Sequence, residues 1–342
     1  MSYSRIAALI DALPMPVLLV GADDRVLAAN PAVKDILGAY VLGQHFITAI
    51  RQPSVVAAIG EVRSSGAARH AEYMGRDGAR DTRYRVSVAP AEADIVLTFE
   101  DQTATQEAGQ MRRDFVANVS HELRTPLTAL LGFIETLGGA ARDDAVARDR
   151  FLGIMSREAT RMTRLVDDLL SLSRVEEDER LRPKDQVDLE TLLSSVIKGL
   201  EPQAQSADVT VTLDVQSQMG PITGDAGQLA QVFTNLIENA IKYGASGKAV
   251  TVSLLPPQMN TRLRSEAVEV TVTDQGDGIE SHHIARLTER FYRVDNHRSR
   301  EVGGTGLGLA IVKHIVNRHR GRLVIESSLG KGTKVSVFLP LS

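Results

Sequence analysis

Apolar and polar positions alternate with different periods along the 342-residue chain, and the periods mark its parts. Near the start, the apolar run Pro16–Val20 stops at Gly21, and Arg25–Ala29 follows a turn at Asp23-Asp24, which reads as a hairpin. Asn30-Pro31 then offers an N-cap and a first-turn proline for a short helix. Strand-like alternation returns at Thr82–Val88 and Ile95–Glu100. From about Thr105 to Leu137 the period changes. Phe115, Val119, Leu123, Leu127, Leu130, Ile134 and Leu137 recur at threes and fours, the stripe of one long helix, with Pro126 expected to bend it and Gly138-Gly139 to end it. A second helix, from about Asp144 to Arg174, carries Phe151, Ile154, Met155, Met162, Leu165, Val166, Leu169 and Leu172 in the same rhythm.

The short connection makes these two helices antiparallel neighbours. A two-helix hairpin buries one seam and leaves the rest of each stripe in water, so a four-helix bundle built from two chains is expected, and hence a homodimer. The competing reading packs the hairpin onto its own flanking domains. Glu176–Arg180 with Pro183 is a polar linker. Beyond it, helices at Leu189–Leu200, Gln228–Tyr243 and Gly306–Arg318 alternate with strands at Val209–Val215, Ala249–Leu255, Val268–Thr273, Arg322–Glu326 and Lys334–Leu339. This pattern predicts an α/β sandwich, one sheet with helices on one side, within an α+β multidomain chain.

Composition narrows the function. Hydrophobic residues at 43% supply a core for two or three domains. Aromatics at 4%, no tryptophan, a net charge of -4 and no Lys/Arg cluster make nucleic acid an unexpected ligand. The absence of cysteine removes disulfides, thiolate metal sites and cysteine catalysis. No run of 18 uninterrupted apolar residues marks a membrane span, and Arg5, Asp11 and two prolines near the start do not read as a signal peptide. A cytoplasmic location is expected, with membrane association if a membrane segment precedes this sequence.

Of eight histidines, His121 stands in the most suggestive setting. It lies two residues from Val119, about 200° round the helix from the apolar stripe, so its imidazole faces solvent. Glu122 is adjacent and Thr125 one turn on, an arrangement that suits a nucleophile with a base beside it. Three clusters in the last domain supply what it would attack. Asn235 and Asn239 share a helix face, with Lys242 and Tyr243 a turn later; amide oxygens suit Mg²⁺, and Lys neutralises phosphate. Asp274-Gln-Gly276-Asp-Gly278 ends a strand, so a flat ligand approaches the backbone closely and the Asp274 carboxylate is placed to accept from an adenine amine. Gly303-Gly304-Thr-Gly306-Leu-Gly308 runs into a helix N-terminus, an anion site, and the polar stretch through Arg300 before it is expected to form a lid.

These motifs resemble the boxes of sensor histidine kinases: Ser-His121-Glu-Leu-Arg-Thr-Pro-Leu the H box, Asn235-Leu-Ile-Glu-Asn239-Ala-Ile-Lys-Tyr the N box, Asp274-Gln-Gly-Asp-Gly278 the G1 box, Glu289-Arg-Phe-Tyr-Arg293 the F box, and Gly304-Thr-Gly-Leu-Gly308 the G2 box. Order and spacing match over roughly residues 110 to 342. The first hundred residues, closing on Asp101-Gln-Thr103, look like a PAS sensor domain, either ligand-binding or purely structural; no cofactor signature is visible there, and His45 or His70 is at most a weak haem-ligand candidate. The resemblance implies three domains: PAS-like (1–105), dimerisation and phosphotransfer (106–180), and an ATP-binding domain of the histidine kinase/Hsp90 type (181–342). It further implies autophosphorylation of His121 from ATP with Glu122 as base, and transfer to an aspartate of a separate response regulator. Thr125 is implied in dephosphorylating that regulator. Nucleotide contacts are implied at Asn235, Asn239, Lys242, Tyr243, Asp274, Gly276, Gly278, Arg293, Gly304, Gly306, Gly308 and Thr333, with Mg²⁺ on Asn239. Arg286-Leu-Thr-Glu-Arg-Phe-Tyr-Arg-Val-Asp and Gly308-Leu-Ala-Ile-Val-Lys-His-Ile-Val look closest to phosphate-regulon members, which implies a regulator of that type. An ATPase or protein-serine kinase of the same nucleotide fold, and a non-enzymatic PAS-containing scaffold, are the rival readings.

Overall fold

A computed structural model describes residues 3–78, 80–177, 182–217, 220–294 and 304–341. The chain forms two compact units, 1–117 and 118–342.

In the first unit, an antiparallel sheet has the order β2-β1-β5-β4-β3, from β1 (Val17–Val20), β2 (Val26–Ala29), β3 (Arg69–Asp77), β4 (Arg80–Ala91) and β5 (Asp94–Asp101). The expected hairpin is β1–β2. Helix α1 (Tyr3–Asp11) packs Ile10 on Val17, Leu19 and Ala28. The main core gathers Leu18, Val20, Val33, Ile59, Val86, Leu97 and Phe99 with helices α2 (Pro31–Leu37), α3 (Phe46–Ala49) and α4 (Pro53–Ser65). That is why β1 is buried throughout, with no polar alternation. Asn30 is fully buried and every donor and acceptor of its amide is used. Its Oδ1 accepts from Val17 N and, as N-cap of α2, from Val33 N, both at 3.0 Å. Its Nδ2 donates to Leu13 O and Met15 O. A buried amide satisfied this completely fixes where the strand hands over to the helix.

Helix α5 (Thr103–Gly138) starts at a turn where Thr103 N donates to Asp101 Oδ1, and it continues through Pro126. The loop after Gly138 leads to α6 (Ala145–Glu177), whose first turn is capped by Asp144 accepting from Ala147 N. Phe133 on α5 stacks on Phe151 on α6, with ring centroids 5.2 Å apart. Apolar side chains remain on the outside of this hairpin: Leu127, Leu131 and Ile134 on α5, and Leu152, Val166 and Leu170 on α6 are all exposed.

After the hairpin, a five-stranded sheet has the order β11-β12-β10-β9-β7, built from β7 (Thr210–Val215), β9 (Ala249–Asn260), β10 (Ser265–Asp274), β11 (Arg322–Ser327) and β12 (Thr333–Pro340). Only β7–β9 is parallel. Val250, Val252 and Leu254 on β9 and Val268, Val270 and Val272 on β10 point to one buried face. Helices α7 (Leu189–Ser206), α8 (Ala226–Tyr243) and α10 (Gly308–Arg318) cover it, with α7 touching β7, α8 touching β9 and β10, and α10 touching β11. A small second sheet pairs β6 (Asp185–Val187) with β8 (Ile222–Gly224), and a single turn of helix, α9 (Ser281–Ile284), follows β10. Among the described residues no helix is long and apolar enough to cross a membrane.

Candidate functional site

A cavity of about 570 Å³ opens where α8, the end of β10 and the start of α10 meet. The four-residue spacing on α8 brings Asn235, Asn239, Lys242 and Tyr243 to its wall. Asn235 also reaches Gly308 O, at 3.5 Å, tying α8 to the first turn of α10. Lys242 is paired with Glu238, one turn back on the same helix, at 2.9 Å.

Asp274 closes β10 and is 9% exposed. Its Oδ1 accepts both Gly276 N (2.9 Å) and Thr333 N (3.2 Å), which leaves Oδ2 for a ligand. Burial pushes this carboxyl above its usual range, opposed by those two amides. Gly276 therefore acts behind the wall, through Asp274, while Gly278 and Thr333 form part of it. Gly278 has φ +70, and a Cβ there would stand 2.0 Å from Ser328 O, so no other residue fits this turn.

Gly304 and Gly306, ahead of α10, and Gly308, its first residue, line the cavity. Gly306, at φ +75, packs its backbone on Phe291 and accepts from Phe291 N at 2.8 Å, which joins the glycine loop to the Glu289–Arg293 segment. Gly303 and the expected lid through Arg300 lie outside the described residues.

Sequence reasoning missed the hairpin's share in this cavity. Arg164, Asp167 and Asp168 of α6 also line it. Thr305 of the glycine loop donates to Asp168 Oδ2 at 2.7 Å. Burial raises the Asp168 carboxyl, the Thr305 bond opposes this, and Glu238 and Asp167 add to the rise while Lys242 opposes it. Further contacts join hairpin and sandwich: Ser171 with Gln231, and Glu176 with Arg290.

His121 is exposed on α5, as its helical register requires, and is not part of the cavity wall. Thr125 Oγ1 donates back to the His121 carbonyl at 3.2 Å. Glu122 turns inward. Its Oε2 accepts from Arg161 of α6 at 2.8 Å and from Arg293 at 3.1 Å. Arg293 thus lines the cavity and also holds Glu122, a contact the sequence does not suggest. Among the described residues no group of three or more His, Asp or Glu side chains is placed to hold a metal ion.

Comparison with known proteins assigns each part. Residues 4–64 match the PAS domain family, residues 111–178 the His Kinase A (phospho-acceptor) domain, and residues 224–342 the histidine kinase-, DNA gyrase B-, and HSP90-like ATPase family. Together, in this order, these domains mark a sensor histidine kinase. Among relatives, the sensor protein kinase WalK of Staphylococcus saprophyticus is 38% identical over 245 residues, 72% of this chain and 39% of that protein. The phosphate regulon sensor protein PhoR of Pseudomonas aeruginosa is 38% identical over 242 residues, 70% of this chain and 52% of that protein. The chain therefore spans about half or less of the length of these two relatives. Of solved structures, the histidine kinase AdeS of Acinetobacter baumannii is 26% identical, with a TM-score of 0.50 over 65% of this chain and 98% of that one. The histidine kinase ThkA, solved with the response regulator TrrA, shares the fold at 18% identity, with a TM-score of 0.54 over 98% of both chains.

Proposed function

We propose that the chain is an ATP-dependent protein-histidine kinase that phosphorylates His121 and passes the phosphoryl group to an aspartate of a response regulator. The observation that carries this reading is one compact unit holding an exposed histidine with an adjacent carboxylate and, separately, a cavity with an adenine-type acceptor at one end and a glycine loop at a helix N-terminus at the other. Asp274 Oδ2 takes the adenine amine. Gly304, Gly306, Gly308 and Lys242 surround the phosphates, and Lys242 exchanges Glu238 for them. Asn239 would hold Mg²⁺. The wall offers two amide side chains, Asn235 and Asn239, and among the described residues no group of three or more His, Asp or Glu is placed to hold a metal, which suits a metal that arrives with nucleotide phosphates rather than a resident one. Such a metal neutralises phosphate charge when bound.

His121 attacks the γ-phosphorus. The bond to the β,γ-bridging oxygen breaks, a P–N bond forms, ADP leaves, and the imidazole proton passes to Glu122. His121 lies outside the cavity wall, so the reaction requires the ATP-binding domain to change its place relative to the hairpin. The exposed apolar stripes of α5 and α6 support a homodimer in which two hairpins form a four-helix bundle. Thr125 orients water when the kinase dephosphorylates its regulator, which requires its hydroxyl to leave the His121 carbonyl. The Arg286 and Gly308 motifs and the PhoR relative support a phosphate-regulon regulator; WalK, equally similar, makes phosphotransfer profiling against a panel of regulators the deciding measurement.

Radiolabelled ATP tests the main reading. An acid-labile, base-stable label is expected on the parent and none on His121→Ala. Full labelling of the variant, or an acid-stable label, would point instead to an ATPase or serine kinase of the same fold.

A further inference from the structure

We propose that Arg161 is a positioning residue for autophosphorylation, holding the Glu122 carboxylate in place beside His121; this rests on the reading of Glu122 as proton acceptor. Glu122 follows an exposed histidine, yet its own side chain is only 15% exposed. A carboxylate withdrawn from water is costly unless a cation meets it. Arg161 does so from the facing helix, 39 residues away in sequence, with Nη2 2.8 Å from Oε2 and equal burial. Its other arm lies 3.8 Å from Glu158, three residues earlier on α6, so the guanidinium is held from two sides.

Arg293 reaches the same oxygen but differs in kind. It belongs to the ATP-binding part, lines the nucleotide cavity, and its buried Nε has no hydrogen-bond partner. That buried donor becomes available to phosphate once Arg293 leaves Glu122. When the domain moves to bring ATP to His121, Arg293 leaves with it. Arg161, on the same hairpin as Glu122, stays. Both guanidiniums use Oε2, so Oε1 is the oxygen open to the imidazole proton. Without Arg161 the carboxylate loses the anchor that fixes this orientation, and a displacement on the ångström scale is enough to slow proton transfer.

The test uses the full chain, with initial rates of autophosphorylation measured across ATP concentrations. Arg161→Gln is expected to lower kcat about 10- to 100-fold, less than the roughly 10²–10⁴-fold of losing a general base, with KM for ATP within about twofold. Arg161→Lys, which keeps the charge, should recover a large part. In a Glu122→Gln background, Arg161→Gln should cost nothing further. Equal loss in both backgrounds would mean that Arg161 is only structural and would overturn the proposal. A parental kcat in Arg161→Gln, with Glu122→Gln impaired, would overturn it while leaving Glu122 as the base. A parental kcat in Glu122→Gln would remove the base reading and the proposal with it.

Discussion

Asp274→Asn separates recognition of adenine from maintenance of the fold. The carboxylate is 9% exposed, and both of its protein partners, Gly276 N and Thr333 N, reach Oδ1. An asparagine keeps that acceptor and replaces only Oδ2, the atom assigned to the ligand, by an NH₂ group. Burial already raises the Asp274 carboxyl, so removing the charge should leave the free protein no less stable. The ligand loses a hydrogen bond to a charged acceptor, worth about 1.5–3 kcal/mol. At 1.4 kcal/mol per decade this is a roughly 10- to 150-fold weaker dissociation constant for ATP. Inosine triphosphate carries a carbonyl where adenine carries the amine. It faces a carboxylate in the parent and an amide donor in the variant, so its affinity should hold or rise. Competition against a fluorescent nucleotide, with a thermal melt as control, reads both. Equal loss for the two nucleotides would refute the assignment of Oδ2 to the adenine amine. A lowered melting transition would show that the effect comes through the fold.

Three further outcomes follow from particular contacts. His319 is 2% exposed, accepts from Asp225 N through Nε2 and donates through Nδ1 to Ile315 O. Its pKa is lowered, chiefly by burial, with the Ile315 carbonyl and the Asp225 carboxylate opposing and Arg318 and Arg182 adding to the fall. The unfolded chain therefore binds the proton first, and stability should drop as pH falls below about 6.5, by at most about 1.4 kcal/mol per pH unit. Urea unfolding of the parent and His319→Gln between pH 5 and 7.5 should show a shallower acid slope in the variant. Thr125→Ala loses only a bond to its own helix backbone, so autophosphorylation should stay within about twofold while regulator dephosphorylation slows at least about tenfold, read by decay of labelled regulator. Leu131 is 54% exposed in the single chain, so Leu131→Asp should leave the hairpin folded and convert a dimer to monomers by sedimentation velocity, whereas a parent already monomeric at micromolar concentration would remove the four-helix bundle.

What the sequence made legible followed local periodicity. The two long helices, the α8 face with Asn235 and Asn239, and the glycine turns were readable because each motif lies within one or two turns of chain. Elements without such a pattern escaped. Strand β3 buries no residue fully and turns inward only Ala71, Tyr73 and Gly75 between exposed neighbours, and β6 and β8 have three residues each, too few to show a period. Helix α7 runs six residues past Leu200, through Pro202, with Ala204 still buried. Strand β9 continues through Pro256 and Pro257 because its pairing with β7 ends at Leu254, and beyond that point prolines leave no ladder bond unmade on that side.

Roles that depend on tertiary placement were the least legible. Asp168 is 137 residues from Thr305, and Arg161 is 39 from Glu122; neither pair leaves a local trace. Motif reading also gives each residue one role, and here the same groups serve two surfaces. Arg293 belongs to the nucleotide wall by sequence and to Glu122 by contact. Thr305 belongs to the glycine loop and is held by a hairpin carboxylate. Both contacts set a hairpin anion against a group that a triphosphate would also engage. Anions compete for the same donors, so nucleotide binding and this seating of the hairpin oppose each other. Reciprocity then fixes a consequence: Thr305→Val, which releases Asp168, should tighten nucleotide binding, read by competition against a fluorescent nucleotide, and weaker binding would refute the opposition.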